Sequence, residues 1–475
     1  MKKSLLVVLA AACSQNDPAP AVTALTREQL LDPATCAGCH PSHYREWASS
    51  MHAYAAEDPV FHAMNRRGQR ETEGALGDFC VRCHAPMALR EGVTRDGLDL
   101  ESVPEHLRGV TCYFCHNAIE ATEHFNNGIR LADDLTLRAS IPDPVNPGVH
   151  GVGYSRLFDR NRPESAAFCG SCHDVVTPSG VHLERTFEEY TTSLFSSGAG
   201  FETCQGCHMD ARTGRAATSN GAPPRTVHEH LWPGVDLALS DFPDTAAQAK
   251  AVECALATSA RVLSVARDRF GTFTVRVETS AGHHLPSGAA QDRRLWVEFV
   301  AYAADGAVLF QSGAIRDGEL EQKPATDPNH DRQLALFRDF IYGADGAEVH
   351  QFWQAAPSAA FPEGHRSLVL PAAAERGTAH SISVEYPLAP TVLVARATVR
   401  LRMRPVGIDV LRDLETSGDL APGLATRLPT HTLHGAAVEW SADTPETLRS
   451  LRPPDLDCPT AYRCLLSPEN ETCAR

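Results

Sequence analysis

The chain reads as a multidomain α+β protein: a loop-rich, partly helical amino-terminal half followed by an antiparallel β-sandwich. Three observations lead there. Five C-x-x-C-H motifs crowd into residues 33–232, a stretch whose short apolar clusters are interrupted by Gly, Pro, Asp and Asn. Period-2 alternation of apolar and polar residues is sustained only beyond about residue 261. Between the two lies a helical run, "DTAAQAKAVECALATSARVL", at 244–263.

At the amino terminus, "MKKSLLVVLAAACSQ" has the charged start, short apolar middle and small-residue end of an export signal, assigned to residues 1–12. It is too short to span a membrane stably. Ala11 and Ala12 before Cys13 resemble a bacterial lipoprotein signal, with Ala10 where that pattern prefers Leu. Residues 13–32, with the polar "SQNDPAPAVT", then read as a tether joining a lipidated Cys13 to the folded protein. The expected location is the cell envelope of a Gram-negative-type bacterium, in the periplasm or on the outer membrane, including its surface. A formal charge of −16 opposes binding to nucleic acid, which rewards a basic patch. Redox proteins are the expected partners, with the membrane reached through the lipid.

The motifs are "CAGCH" at 36–40, "CVRCH" at 80–84, "CYFCH" at 112–116, "CGSCH" at 169–173 and "CQGCH" at 204–208. Chance would supply roughly 0.02 such matches in a chain of this composition. Two thiols two residues apart reach the two vinyl groups of one haem, and the next histidine lies beneath its iron. Zinc needs four ligands per site and leaves the invariable His unexplained. A thioredoxin-like C-x-x-C would occur once, in a βαβ setting. The spacing therefore assigns Cys36, Cys39, Cys80, Cys83, Cys112, Cys115, Cys169, Cys172, Cys204 and Cys207 to five covalently attached c-type haems. His40, His84, His116, His173 and His208 become the proximal ligands.

The second axial position draws on the remaining seventeen of 22 histidines; methionine, with six residues, would raise the potential. His228 and His230, in "VHEHLWPGVD", share a face of an extended segment just after the fifth motif. His150 stands among glycines that allow close approach of a cofactor. His52 is carried by a helix expected over "PSHYREWASSMHAYAAE", which sets it near the face of Tyr44 and Ala48. A second short helix is expected in "ERTFEEYTTSLF".

The run "CAGCHPSHYREWASSMHAYAAEDPVF" resembles the first-haem signature of the multihaem cytochromes related to the tetrahaem cytochrome of ammonia-oxidising bacteria. There a C-x-x-C-H is followed by Trp, Ser and a ligating His, here Trp47, Ser50 and His52. "FCGSCHDVVTPSGVHLERTFEEY", "ETCQGCHM" and the later "AGHHLPSG" resemble exported bacterial multihaem electron-transfer proteins. The resemblance implies electron transfer, and it implies His283, directly after Gly282, as a ligand supplied from outside the motif region. Pro286 ends the preceding strand, and His283 and His284 point opposite ways, so one of them faces the haems. His52 is expected to serve a haem other than that of His40.

Residues 33–240 thus form a pentahaem cytochrome domain and 241–445 the β-sandwich with its leading helix. "FTVRVETS", "RRLWVEFVAY", "HSISVEYPL" and "TVLVARATVRLRMRPV" alternate as strands, with Asp305–Gly306 and Asp345–Gly346 as turns. Cys254, Cys458, Cys464 and Cys473 allow two disulfides in three connectivities that pin a tail at 446–475. Closed axial positions suit a single-electron carrier. The alternatives are an oxidoreductase acting on a small nitrogen or sulfur compound at a haem with an open distal side, and a docking or wire-forming surface protein. No C-x-x-C-K, the sign of a lysine-ligated active haem, occurs.

Overall fold

The computed structural model describes residues 23–145, 148–218, 221–316, 318–320, 330–373 and 380–458. The leader with Cys13, and Cys464 and Cys473, lie outside the described residues. Among those described, no helix is long and apolar enough to cross a membrane.

The amino-terminal half is a succession of short helices and two-stranded ribbons. Each C-x-x-C-H lies in or ends a helix: Pro33–Ala37, Val81–His84, Cys112–His116, Pro163–His173 and Cys204–His208. Proline opens Pro33–Ala37 and Pro163–His173, where its missing N–H is no loss. Asp32 and Thr111 cap Pro33–Ala37 and Cys112–His116 through side-chain oxygens. One turn of helix per motif is what the spacing needs, because it brings both thiols and the imidazole to one side.

The continuous helix expected through His52 is instead two. Pro41–Ala48 ends where Ser49 Oγ donates back to the carbonyls of Arg45 and Glu46, both at 3.1 Å. Ser50, extended at φ −90° and ψ 160°, caps a new turn, Met51–Tyr54. Two serines in a row compete with the helix for its own carbonyls. His52 therefore does not continue the face of Tyr44 and Ala48. The second expected helix is shorter than its sequence run, Thr186–Thr191.

In the carboxyl-terminal half the helix Thr245–Ser259 runs directly into the strand Ala260–Arg267. That strand, Phe273–Thr279 and Ser381–Tyr386 form a three-stranded antiparallel sheet with Phe273–Thr279 in the middle. An eight-stranded sheet runs Glu348–Val349, Leu336–Tyr342, Arg294–Tyr302, Arg396–Arg404, His431–Ser441, Arg449–Ser450; Val308–Ser312 pairs with Arg294–Tyr302, and His365–Leu368 with Leu336–Tyr342. Buried residues of both sheets, among them Phe273, Val275 and Tyr386 with Val297, Phe299, Val399 and Leu401, make one core. Arg449–Ser450 carries the sheet past residue 445, and a Cys254–Cys458 disulfide ties the chain end to the leading helix.

The halves are joined by packing and by ion pairs. Val60 and Ala63 of Pro59–Glu71 cluster with Leu411 and Leu414 of Ile408–Thr416. Arg70 pairs with Asp419, Arg67 with Asp413 at 2.6 Å, and Arg185 with the buried Asp339 at 2.7 Å.

Candidate functional site

Among the described residues no three His, Cys, Asp or Glu side chains converge to cage a bare ion. The imidazoles cluster instead: His43 stands 6.2 Å from His40 and 4.9 Å from His230, edge-on to both, and four other contacts set a motif ring against a ring from elsewhere in the chain. His40 faces His150 with ring centres 6.4 Å apart, His116 faces His230 at 6.1 Å, His173 faces His52 at 6.1 Å and His208 faces His283 at 6.3 Å. An iron between two imidazoles sits roughly 2 Å from each nitrogen, with each ring centre roughly 1 Å further out. Two ligating rings are then on the order of 6 Å apart. The four spacings fit a haem iron held between two histidines, and in each pair one member ends a C-x-x-C-H motif.

The hydrogen bonds fix the tautomer that such ligation requires. Nδ1 of His40 lies 2.5 Å from Ala216 O, that of His84 2.9 Å from Ala55 O, that of His116 2.6 Å from Arg138 O and that of His208 2.8 Å from Pro233 O. Nδ1 of His150 lies 2.9 Å from Gly151 O, that of His230 3.0 Å from His228 O and that of His283 2.8 Å from His284 O. A carbonyl only accepts, so each Nδ1 carries the proton and each Nε2 keeps its lone pair for a metal. Burial also holds the rings neutral. It lowers His84, His116 and His173 below the ordinary imidazole range, His208 to about 4 and His52 to about 3.

The cysteines line up beside these rings. Burial pushes the free Cys80 and Cys115 thiols up to about 12. The Cys36 thiol lies beside that of Cys112, Cys83 beside Cys172, and Cys169 beside Cys204. The first motif is thereby set against the third, the second against the fourth, and the fourth against the fifth. Cys39 and Cys207, in the first and last motifs, are exposed.

The segments that deliver the facing histidines are pinned to the motifs. His52 O accepts from Val110 N at 2.8 Å, and Trp47 Nε1 donates to Val110 O at 2.7 Å, fixing the His52 turn against the lead-in to the third motif. A side chain on Gly109 would meet His52 O at 2.7 Å, which is why that position has none. Trp232, at φ +46°, sets its ring edge-on to both His52, at 4.6 Å, and His230, at 5.2 Å. His228 does not face a motif histidine: it ends the strand Pro224–His228, and its Nδ1 turns to Met209 O at 3.2 Å. Two glycines lie beside the facing histidines. Gly151 lies against Thr136, and Gly282 against Phe195.

His84 differs from the other four motif histidines. Its ring stacks on Phe61, centres 4.1 Å apart and 6° from parallel, and among the described residues no imidazole pairs with it. His62, the nearest histidine in sequence to Phe61, sets its Nε2 3.0 Å from Ala56 O.

Sequence reasoning missed Phe61, Trp232 and Glu189. Glu189 lies beside His284, not His283, with Oε1 3.2 Å from His284 Nδ1. None of the three carries a motif, and Trp232 alone had a hint, its place two residues after His230.

Residues 35–117, which hold the first three motifs, match the family described as cytochrome c554 and c-prime. A penta-heme cytochrome c552 from Thermochromatium tepidum has the same fold, with a TM-score of 0.59 at 20% identity over 86% of this chain and 98% of that one. The search of curated proteins returned no match. Motifs, family match and fold together support a multihaem c-type cytochrome with covalently bound haem. The match covers 86% of this chain, so the shared fold extends over both halves.

Proposed function

We propose that this protein is a pentahaem electron carrier of the cell envelope, passing single electrons between redox partner proteins. The observation that carries the reading is the set of four facing imidazole pairs, with ring centres 6.1–6.4 Å apart, the spacing of two ligands on one iron. Haem iron, when bound there, supplies one-electron exchange. The chain's own contribution is to attach the macrocycle through two thiols, close both axial positions, and keep water and substrate from the metal. His150, His230, His52 and His283 are the second axial ligands at the motifs of His40, His116, His173 and His208. The thiol contacts run from the first motif through the third, and from the fourth to both the second and the fifth; the exposed Cys39 and Cys207 mark where partners would approach. A lipid on Cys13 would hold the carrier at the membrane.

Mass spectrometry of holoprotein matured with the c-haem machinery tests the count: a mass increment of five haems is expected, and four or fewer would contradict it. Cys13→Ala should move the protein from the membrane to the soluble fraction, and unchanged membrane association would remove the lipid anchor from the account.

One observation favours a second role at a single motif. His84 has Phe61 as its ring partner and no facing imidazole among the described residues, which suits a haem open to a small nitrogen or sulfur compound. A high-spin ferric signal that shifts on adding cyanide, and that disappears in His84→Ala, would support it; an all-low-spin spectrum would end it.

A further inference from the structure

We infer that Glu189 is a positioning residue for the haem of the fifth motif, holding the turn that presents His283 to the iron above His208. The inference rests on the reading of His283 as an axial ligand. Its geometric basis is a carboxylate with two hydrogen bonds to that one turn and a close approach to a third atom of it. Glu189 Oε2 accepts from His284 N at 3.1 Å and from Ser287 Oγ at 2.6 Å, and Oε1 lies 3.2 Å from His284 Nδ1. The side chain is only 5% exposed. Burial pushes its carboxyl up, but the bonds from His284 and Ser287 outweigh that and leave it below the ordinary range.

The sheet half holds this segment on both sides of His283: Ala373 N donates to Ala281 O at 3.0 Å, Leu285 and Leu370 form a bridge, and Arg293 Nε donates to Ser287 O at 2.9 Å. These bonds tie the turn to its own half. His283 can lock its own Nδ1 onto His284 O at 2.8 Å, but that bond lies within the turn and cannot place the turn relative to His208. Glu189 can, because it reaches the turn from the amino-terminal half. It stands on Thr186–Thr191, whose first free N–H groups, of Phe187 and Glu188, donate to Asp174 at 2.7 and 3.1 Å. Asp174 directly follows His173. Thr186 Oγ1 adds two more bonds to the same turn, with Ser287 Oγ at 2.9 Å and Gly288 N at 3.0 Å. One short helix therefore ties the end of the fourth motif to the distal ligand of the fifth. His284, expected from sequence to be a bystander, is the handle by which that helix grips.

The test compares Glu189→Ala, Glu189→Gln, His283→Ala and Arg185→Ala in the full holoprotein, reading ferric spin state and the affinity of added imidazole for each haem. Losing hydrogen bonds to a buried carboxylate should let His283 leave the iron, so that imidazole binds one haem about tenfold or more tightly in Glu189→Ala than in wild type. Glu189→Gln keeps an acceptor for Ser287 and His284 N and should return most of the wild-type behaviour. Arg185→Ala removes an ion pair between the halves without touching the turn and should change neither readout. His283→Ala tests the underlying reading: if it leaves every haem as in wild type, His283 is not a ligand. If His283→Ala opens one haem while Glu189→Ala leaves imidazole affinity unchanged, or if Arg185→Ala mimics Glu189→Ala, the positioning role is wrong. Should Glu189→Ala not accumulate, Ser287→Ala removes one bond to the same carboxylate; raised imidazole affinity at one haem supports the inference, and no change overturns it.

Discussion

Histidines in the two halves of this molecule keep different company. In the amino-terminal half imidazoles face one another, while the exposed His182 lies 3.8 Å from Glu188. In the two-sheet half His380 lies 3.1 Å from Glu278 and His434 3.6 Å from Glu253, the ordinary way to settle an imidazole. His283 is the exception, a residue of the sheet half that faces His208. The cores differ in the same sense. The sheet half buries Phe273, Phe299, Tyr386, Trp440 and a run of Val and Leu against each other. The motif half closes its short helices over Cys80, Cys115 and Cys172, which pack at the edge of its cluster beside Tyr113 and Phe114. One half is finished by its own side chains, and the other is built to be finished by a cofactor.

If that contrast is right, removing covalent attachment should harm one half far more than the other. In Cys112→Ala/Cys115→Ala, whose motif sits beneath fully buried Tyr113 and Phe114, limited proteolysis should open the amino-terminal half while fragments spanning 241–458 persist. Equal resistance of both halves would break the comparison. The converse substitution is Phe299→Ala, at the stacked Phe299–Tyr386 pair. It should cost about 3–5 kcal/mol in denaturant unfolding followed by circular dichroism, with the haem spectrum of the folded protein unchanged.

Removing the Cys254–Cys458 link, which closes a sequence separation of 204, with Cys254→Ser/Cys458→Ser should cost about 2–4 kcal/mol by the same measurement. A loss confined to the sheet half would sharpen the division, and a change in haem spin state would blur it. The smallest stability effects come from the two kinds of histidine. His434→Ala removes a partly exposed ion pair and should stay within about 0.5 kcal/mol with no spectral change. His230→Ala should turn one haem high-spin, and an unaltered spectrum would remove the pairing with His116.

Much of this was legible in the sequence because the chemistry is local. C-x-x-C-H declares itself in five residues, and the alternation of "FTVRVETS" or "RRLWVEFVAY" reports a strand without reference to its neighbours. The partners of the motif histidines are a tertiary matter. His52 meets the ring of the fourth motif, 121 positions on, and His150 that of the first; a resemblance pointed to one and flanking glycines to the other, but neither named the motif it would meet. His228 and His230 look alike in sequence; a strand that ends at His228 separates them. The helix break at Ser49–Ser50 was masked by good helix formers on both sides, and Glu189, in an unremarkable acidic run, showed nothing until the turn at 283–287 folded onto it.

The most direct test of the account is electron paramagnetic resonance of the fully oxidised holoprotein, with the centres counted by spin quantitation. Four low-spin ferric centres with two imidazole ligands each, together with one centre of different ligation at the motif of His84, are expected. Fewer than four bis-imidazole centres would contradict the claim that the facing histidine pairs are the ligand pairs of this cytochrome.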